Sequence, residues 1–280
     1  MEQGKLYLVA TPIGNLEDIT FRAVKTLKEV DFIAAEDTRQ TLKLLNHLET
    51  KKKLISYHRH NEEIKKEELI NALKEGKSIA IVTDAGTPGI SDPGEVIVKE
   101  AIKNNIEVIP IPGACAAINA IITSGLETKE FAFYGFLPTN KKLRKEKFED
   151  ILSQKKTIII YEAPHRLIET LKEIKKTFGN IYIVIAKEIT KIHETFYRGD
   201  IEDIIEKLSK TEVKGEFVIM FENEGCSEKE KVSKIISELD EKEQFDYYKN
   251  QGLDKKEIIK RIAKNKNVNK DVIYKMFIGK

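Results

Sequence analysis

The 280-residue sequence has very little cysteine, two residues in all, and no long hydrophobic run. Cys115 and Cys226 build no disulfide framework and stand at no metal-ligand spacing, so a reducing, cytoplasmic setting without a metal site is expected. The longest apolar stretches, such as Thr157–Tyr161 and Ile181–Ala186, fall far short of the roughly 20 residues that cross a bilayer. The polar start Met1–Gly4 and the short run Leu6–Thr11 carry no secretory pattern, and no membrane is expected as a partner. Internal repeats and low-complexity tracts are missing as well. Neither GxGxxG nor the Gly-Lys-Ser/Thr ending of a P-loop follows the first strand, which disfavours a Rossmann dehydrogenase and a P-loop NTPase.

What remains is a chain with 41% hydrophobic and 34% charged residues, a globular composition with enough length for about two domains. Its net charge of +2 is unevenly spread. Residues 249–280 carry ten Lys and Arg against three acids, a balance of +7, which leaves −5 for the other 248 residues. A basic C-terminal module on a near-neutral body points to a polyanion as partner, or to a solvated helical tail.

Short apolar runs alternate with charged, helix-period segments over residues 5–222. Leu6–Ala10, Phe32–Ala35, Leu54–Tyr57, Ile79–Val82 and Val108–Ile111 read as strands of a first half. Phe131–Phe136, Thr157–Tyr161, Ile181–Ala186 and Phe217–Phe221 read as strands of a second, with helices such as Glu62–Lys74 and Leu167–Lys176 between strands. The pattern predicts an α/β fold with mainly parallel sheets. Expected boundaries are 1–113 for an N-terminal α/β domain, 114–225 for a second, and 226–280 for a basic helical module. In that module Asp254 and Asn269 are expected to cap two short helices, Lys255–Lys264 and Lys270–Phe277, with Ile258, Ile259, Ile262, Val272, Ile273 and Met276 as the seam. Two short lysine-rich helices across a tight turn have the outline of a helix-turn-helix, or of an ordinary helical hairpin.

The loops at strand ends hold the chemistry. Thr83–Gly94 contains Gly86, Gly89 and Gly94 with Pro88 and Pro93, a rigid backbone that a ligand can approach closely. Asp92 is expected to cap the following helix, with Pro93 at its first position and Glu95 closing a capping box. Pro112–Ala117 sets small side chains at a helix start, for ligand or for packing. Tyr161–Arg166 places His165 and Arg166 at the start of a helix, where the arginine favours an anion. Glu36–Arg39 reads either as a salt-bridged cap or as a substrate contact. His58–Glu62 forms another polar turn, without zinc spacing.

These segments together resemble the tetrapyrrole methylase superfamily, and within it the ribosomal RNA small subunit methyltransferase I branch. The likeness rests on Leu6–Leu16, Ala34–Arg39, His60-Asn61-Glu62, Asp84–Pro88 through Asp92-Pro93-Gly94, Gly135–Pro138, Tyr161-Glu162 with His165-Arg166, Glu188–Lys191 and Lys214-Gly215-Glu216. It runs in order from residue 5 to 222, and the basic tail corresponds to that branch's extra C-terminal module. The resemblance implies two α/β domains with S-adenosylmethionine in the cleft between them, a homodimer, and methyl transfer to the ribose 2′-hydroxyl of a cytidine in the decoding region of 16S rRNA, met free or in the small ribosomal subunit. By carry-over it assigns the cofactor to Pro12, Asp84, Ala85, Gly86, Gly89, Cys115, Ala116, Tyr161, Glu162 and Ala163. Ala114 departs from the branch's frequent proline, and Lys187 from its more frequent arginine, which weakens any bidentate contact there.

A ribose hydroxyl needs its proton removed or shared before it attacks a methyl group. Asp37, Asp84, His165 and Glu216 are the candidate bases, with Arg39, Arg166 and Lys214 as phosphate or ribose contacts. The basic run Lys141, Lys142 and Arg144 is expected to form either a solvated helix or an arm on RNA phosphates, and Lys260, Arg261 and Lys270 to extend that contact. Two other functions stay open at this point: a tetrapyrrole C-methyltransferase, and a non-catalytic RNA-binding protein on the same fold.

Overall fold

The computed structural model describes residues 2–223, 236 and 239–277. Cys226, and the boundary expected near 223–230 from residue 224 on, lie outside the described residues. By its contacts the chain forms two compact units: one through Asn223, apart from 152–154, and one holding the C-terminal helices.

The first unit contains two five-stranded sheets. β1 (Leu6–Val9), β2 (Phe32–Ala35), β3 (Lys53–Ser56), β4 (Ile79–Val82) and β5 (Val108–Ile111) form the first, in the order β3-β2-β4-β1-β5 with every pair parallel. Helices cover both faces, as an all-parallel sheet requires. Alternate residues of the central strands pack on α1 (Phe21–Glu29) and α2 (Thr38–His47) on one side, and on α3 (Glu62–Lys74) and α4 (Glu95–Lys103) on the other. Pro110 sits in β5, an edge strand, where its missing N–H breaks no ladder.

After α5 (Ala116–Ile122) the second sheet runs β6-β7-β10-β8-β9, from β6 (Phe131–Phe136), β7 (Lys156–Glu162), β8 (Tyr182–Lys187), β9 (Thr195–Asp200) and β10 (Phe217–Asn223). Here the expectation of a mainly parallel sheet fails. Only β6 and β7 are parallel; the β7–β10, β10–β8 and β8–β9 pairs are antiparallel. The short link from Lys187 to Thr195 leaves no room for the crossover that parallel neighbours need. One face packs on α6 (Lys141–Ser153), α7 (Leu167–Phe178) and α8 (Ile201–Ser209), and the other, with Ile159, Val184, Val218 and Met220, packs on α5 and Ile13. Ile13 comes from the loop after β1, so this second core joins the two halves of the unit.

The C-terminal unit has its own core. α9 (Glu241–Asn250), α10 (Lys255–Asn265) and α11 (Lys270–Phe277) bury Tyr248, Ile258, Ile259, Ile262, Ala263 and Ile273, and Phe245 stacks on Phe277 with centroids 4.5 Å apart. Asp254 caps α10 by accepting from the Glu257 N–H at 2.8 Å, and Asn269 accepts from the Asp271 N–H at 3.1 Å. The expected seam is corrected at two positions: Val272 and Met276 face outward. Their places are taken by aromatic residues of α9 and α11.

Candidate functional site

The loops at the carboxyl ends of β1, β2, β3 and β4 gather at one edge of the parallel sheet, the usual ligand edge of such folds. Two of them are stitched together. Thr11 N–H donates to the Gly86 carbonyl at 2.9 Å, Gly86 N–H donates back at 3.1 Å, and the Thr11 hydroxyl donates to the Thr83 carbonyl at 3.2 Å. The Thr87 hydroxyl reaches across to the Ala114 carbonyl at 3.0 Å, tying this edge to the start of α5. Between this edge and the second sheet lies a cavity of about 380 Å³.

Its lining holds most of the residues assigned by carry-over: Asp84, Ala85, Gly86, Cys115, Ala116, and the run Tyr161-Glu162-Ala163, with Glu216 beside them. Pro12 and Gly89 are not in the lining; they belong to the turns that carry it. The wall from the parallel sheet also presents Glu36, from the segment read as a cap or a substrate contact, and Asp92, which no site reading named. Asp92 was expected to cap α4. Instead Gly94 occupies the cap position with φ 144° and the helix starts at Glu95, so the Asp92 side chain is free to face the cavity.

These carboxylates feel burial and one another. Burial, with the nearby Asp84 charge, raises the Glu36 pKa, and burial likewise raises that of Asp84. Asp92 is pushed up to about 6, first by burial and then by the Glu36 carboxylate, with the Arg59 guanidinium opposing. Arg59 projects from the turn after β3 and donates to the Ser91 carbonyl. Asn61 shapes that turn: its side-chain oxygen accepts the His58 N–H at 2.8 Å and its amide donates to the Ser56 carbonyl at 3.2 Å.

Several expected site residues have other work. Asp37 caps α2 through the Arg39 N–H at 2.8 Å and grips the Arg39 guanidinium at 2.6 Å, the salt-bridged cap that was one reading of this segment. The same contacts lower its pKa to about 2, which makes it a poor proton acceptor. Arg39 itself is 85% exposed at the side chain, and His165 is exposed beyond the lining. Glu216 accepts from Lys191 at 3.0 Å with its side chain 75% exposed, and Lys214 pairs with Glu212 at 2.8 Å. Lys141 and Lys142 lie on the exposed face of α6, but Arg144 does not join them. It is buried, bonded to Glu173 at 2.6 Å and to the Thr170 hydroxyl at 2.7 Å, which removes it from any arm on RNA. Arg166 likewise turns inward, to the Leu137 carbonyl at 2.8 Å and the buried Glu162 at 3.4 Å.

The second wall is aromatic. Tyr161 packs edge-on against Phe133 and Phe136, and its hydroxyl accepts the Ala117 N–H at 2.9 Å. Burial raises the Tyr161 pKa far above its ordinary value, so the phenol stays neutral. Phe136 lines the cavity while 54% exposed, an open aromatic face at the mouth. In the C-terminal unit, Lys260 and Lys270 line a groove of their own with Lys256, Glu257, Asp271 and Tyr274, while Arg261 lies over the Tyr248 ring. Among the described residues no group of His, Cys, Asp and Glu has the arrangement of a metal site, and no helix is long and apolar enough to cross a membrane.

Two α/β halves close a cavity at a strand-end edge, an architecture suited to a small-molecule ligand, and comparison with known proteins bears on it directly. Residues 5–205 match the family of Tetrapyrrole (Corrin/Porphyrin) Methylases. The fold is also similar to that of uroporphyrin-III C-methyl transferase from Thermus thermophilus complexed with S-adenyl homocysteine, with a TM-score of 0.56 and 17% identity over 78% of this chain and 97% of that one. The chain is 49% identical over 277 residues to the ribosomal RNA small subunit methyltransferase I of Halalkalibacterium halodurans, covering 99% of this chain and 95% of the relative. It is 46% identical over 273 residues to the protein of the same name in Bacillus subtilis, covering 98% and 94%. The chain belongs to the tetrapyrrole methylase family and, within it, to the ribosomal RNA small subunit methyltransferase I group. It is a methyltransferase.

Proposed function

We propose that the chain transfers a methyl group from S-adenosylmethionine to small-subunit ribosomal RNA, and that its acceptor is the ribose 2′-hydroxyl of a cytidine in the decoding region of 16S rRNA. The cavity between the two sheets carries this reading. Its volume falls within the usual range for small-molecule sites, and its lining is mostly small or apolar with a few polar groups. Gly86 holds φ 84°, and a Cβ added there would come within 3.2 Å of the Ile13 side chain, so the bare backbone leaves space that a side chain would fill.

Asp84, Ala85, Gly86, Cys115, Ala116, Tyr161 and Ala163 would hold the cofactor, with Glu162 buried behind them. When bound, the cofactor supplies a methyl group made electrophilic by its sulfonium sulfur. The protein's own contribution is to bring the acceptor oxygen in line with that methyl group, to exclude water, and to remove a proton. Arg39, Lys141, Lys142, Lys260 and Lys270, all exposed, are the proposed contacts to RNA phosphates. A homodimer acting in the cytoplasm completes the reading by family resemblance.

Incubation with labelled S-adenosylmethionine and unmodified small ribosomal subunits tests it. Label on one ribose 2′-oxygen is expected. Cofactor binding without labelled RNA, across subunits and free rRNA alike, would instead favour a small-molecule acceptor.

A further inference from the structure

The carboxylates around the cavity differ in what already holds them. The Asp84 Oδ1 accepts the Asp37 N–H at 3.0 Å, and the Glu36 Oε2 accepts the Asp84 N–H at 3.4 Å. Glu162 accepts the Thr170 hydroxyl at 2.6 Å and the Ala163 N–H at 2.9 Å, and Glu216 accepts from Lys191. The Asp92 carboxylate lines the same cavity, and among the described residues no hydrogen-bond donor reaches it.

That freedom is built by the backbone around it. At Gly94 a side chain would begin 3.1 Å from the Gly89 amide nitrogen, and the positive φ there delays α4 until Glu95. Asp92 is thereby released from the capping role that its neighbours Pro93 and Glu95 would give it. The segment is nonetheless fixed from two sides. Arg59 holds the Ser91 carbonyl from the turn after β3. From the second sheet, Gly135 approaches so closely that a Cβ there would lie 2.7 Å from the Ser91 hydroxyl oxygen. The β-bulge between Phe133 and Gly135 brings the strand into this position, and Phe136 follows it into the lining. Asp92 is therefore a half-buried carboxylate on a clamped loop with no donor from the described residues, in a cavity that an exposed aromatic face also lines.

We propose that Asp92 is the catalytic residue that takes the proton of the acceptor hydroxyl. This inference rests on the methyl-transfer reading given above. The O–H bond breaks toward an Asp92 oxygen, and the oxygen pair so freed forms the new carbon–oxygen bond. The carbon–sulfur bond breaks in the same event, its electron pair leaving with sulfur as a neutral thioether. A carboxylate and a sulfonium become a carboxylic acid and a thioether, so charge balances. The groups facing Asp92 are Glu36 and Asp84 from the ends of β2 and β4, Arg59 from the turn after β3, and Tyr161 from β7. Burial and the two carboxylates outweigh the arginine, which sets Asp92 in the range where a base is both ionised and basic enough to act near neutral pH.

The test compares the wild type with Asp92→Asn and Asp92→Glu in three measurements. These are methyl transfer to small ribosomal subunits across pH 5–8.5, calorimetric binding of S-adenosylhomocysteine, and a carbon-13 carboxylate titration of the cofactor-free protein. The wild-type rate should rise with pH and level off above an apparent pKa near 6, matched by a carboxylate resonance that Asp92→Asn removes. Asp92→Asn should bind S-adenosylhomocysteine within about twofold of the wild type and lose about 10²–10⁴-fold in rate, together with the acidic limb. Asp92→Glu should recover part of the rate and restore a limb. An Asn variant that keeps its rate overturns the proposal, as does one whose lost rate follows lost cofactor binding. A wild type that binds S-adenosylhomocysteine yet labels no RNA overturns the RNA reading, and this assignment with it.

Discussion

On the wall that the parallel sheet contributes to the cavity, Glu36, Asp84 and Asp92 stand close together, partly buried, with raised pKa values and few donors. On the wall from the mixed sheet, charge is neutralised within the wall. Glu162 is buried among Thr170, Arg166 and Arg144, and Glu216 leans on Lys191. The first arrangement keeps carboxylates reactive at a cost in stability, and the second makes a rigid aromatic surface. The two walls thus hold charge in different ways, and substitutions on them should fail in different ways.

The largest expected effect is on the second wall. Glu162→Ala leaves Arg144 and Arg166 facing a buried gap, and loss of one partner from a buried ion pair costs about 3–5 kcal/mol. Urea denaturation should show that loss; a variant as stable as the wild type would mean the network is not structural. The next effect is on the first wall, at Arg59. Arg59→Ala removes the clamp on Ser91 and the cation that opposes the rise in the Asp92 pKa. Transfer should fall by about tenfold, and its acidic limb should move to higher pH; a limb that stays in place would disconnect Arg59 from the reaction.

A smaller effect has the opposite sign to the first. The Asp92 pKa lies above its ordinary value of 3.8, so the folded protein holds this proton more tightly than the unfolded chain. The associated stability is present below about pH 4 and is lost as pH rises toward 6. Asp92→Asn should therefore stabilise the protein at pH 7 and leave it unchanged at pH 3.5. The rise from 3.8 to about 6 corresponds to about 3 kcal/mol, which partial exposure to solvent reduces to roughly 1 kcal/mol. Thermal melts at the two pH values measure it, and destabilisation at pH 7 would contradict the contrast between walls. The smallest effect lies outside the cavity. Charge reversal of Lys260 and Lys270 should lower the salt dependence of RNA binding by about one unit of slope per lost phosphate contact, without changing S-adenosylhomocysteine binding.

Much of the first wall was legible in the sequence. Phe32–Ala35 and Ile79–Val82 are apolar runs bounded by turns, and they become strands with those bounds because a parallel sheet buries both faces of its inner strands. The Gly- and Pro-rich loop Thr83–Gly94 announced the cavity by its backbone chemistry, whereas the run Tyr161–Ala163 was assigned to it only by the family resemblance. β9 was missed because Thr195–Asp200 is a half-exposed edge strand with no apolar run to reveal it. Asp92 was misread because Asp-Pro-Gly-Glu satisfies every local rule for a helix start, while the holds on its loop, Arg59 on the Ser91 carbonyl and Gly135 against the Ser91 hydroxyl, come from distant parts of the chain. Arg144 looked like one more charge in a basic run; only the fold reveals that one face of α6 turns it onto Glu173 and Thr170. Local patterns named the loops, and long-range packing decided which side chains face the cavity.

The cavity between the sheets is proposed as the cofactor's site, with Asp92 on its rim moving a proton rather than holding the cofactor. Calorimetric titration of S-adenosylhomocysteine into Ala116→Leu, with Asp92→Asn as the companion, tests it most directly. Ala116 lines the cavity, so the larger side chain occupies space the ligand needs, whereas Asp92→Asn changes charge and keeps the volume. Binding at least tenfold weaker is expected in Ala116→Leu, and near wild-type binding in Asp92→Asn. Undiminished binding to a folded Ala116→Leu protein would put the cofactor elsewhere and contradict the account.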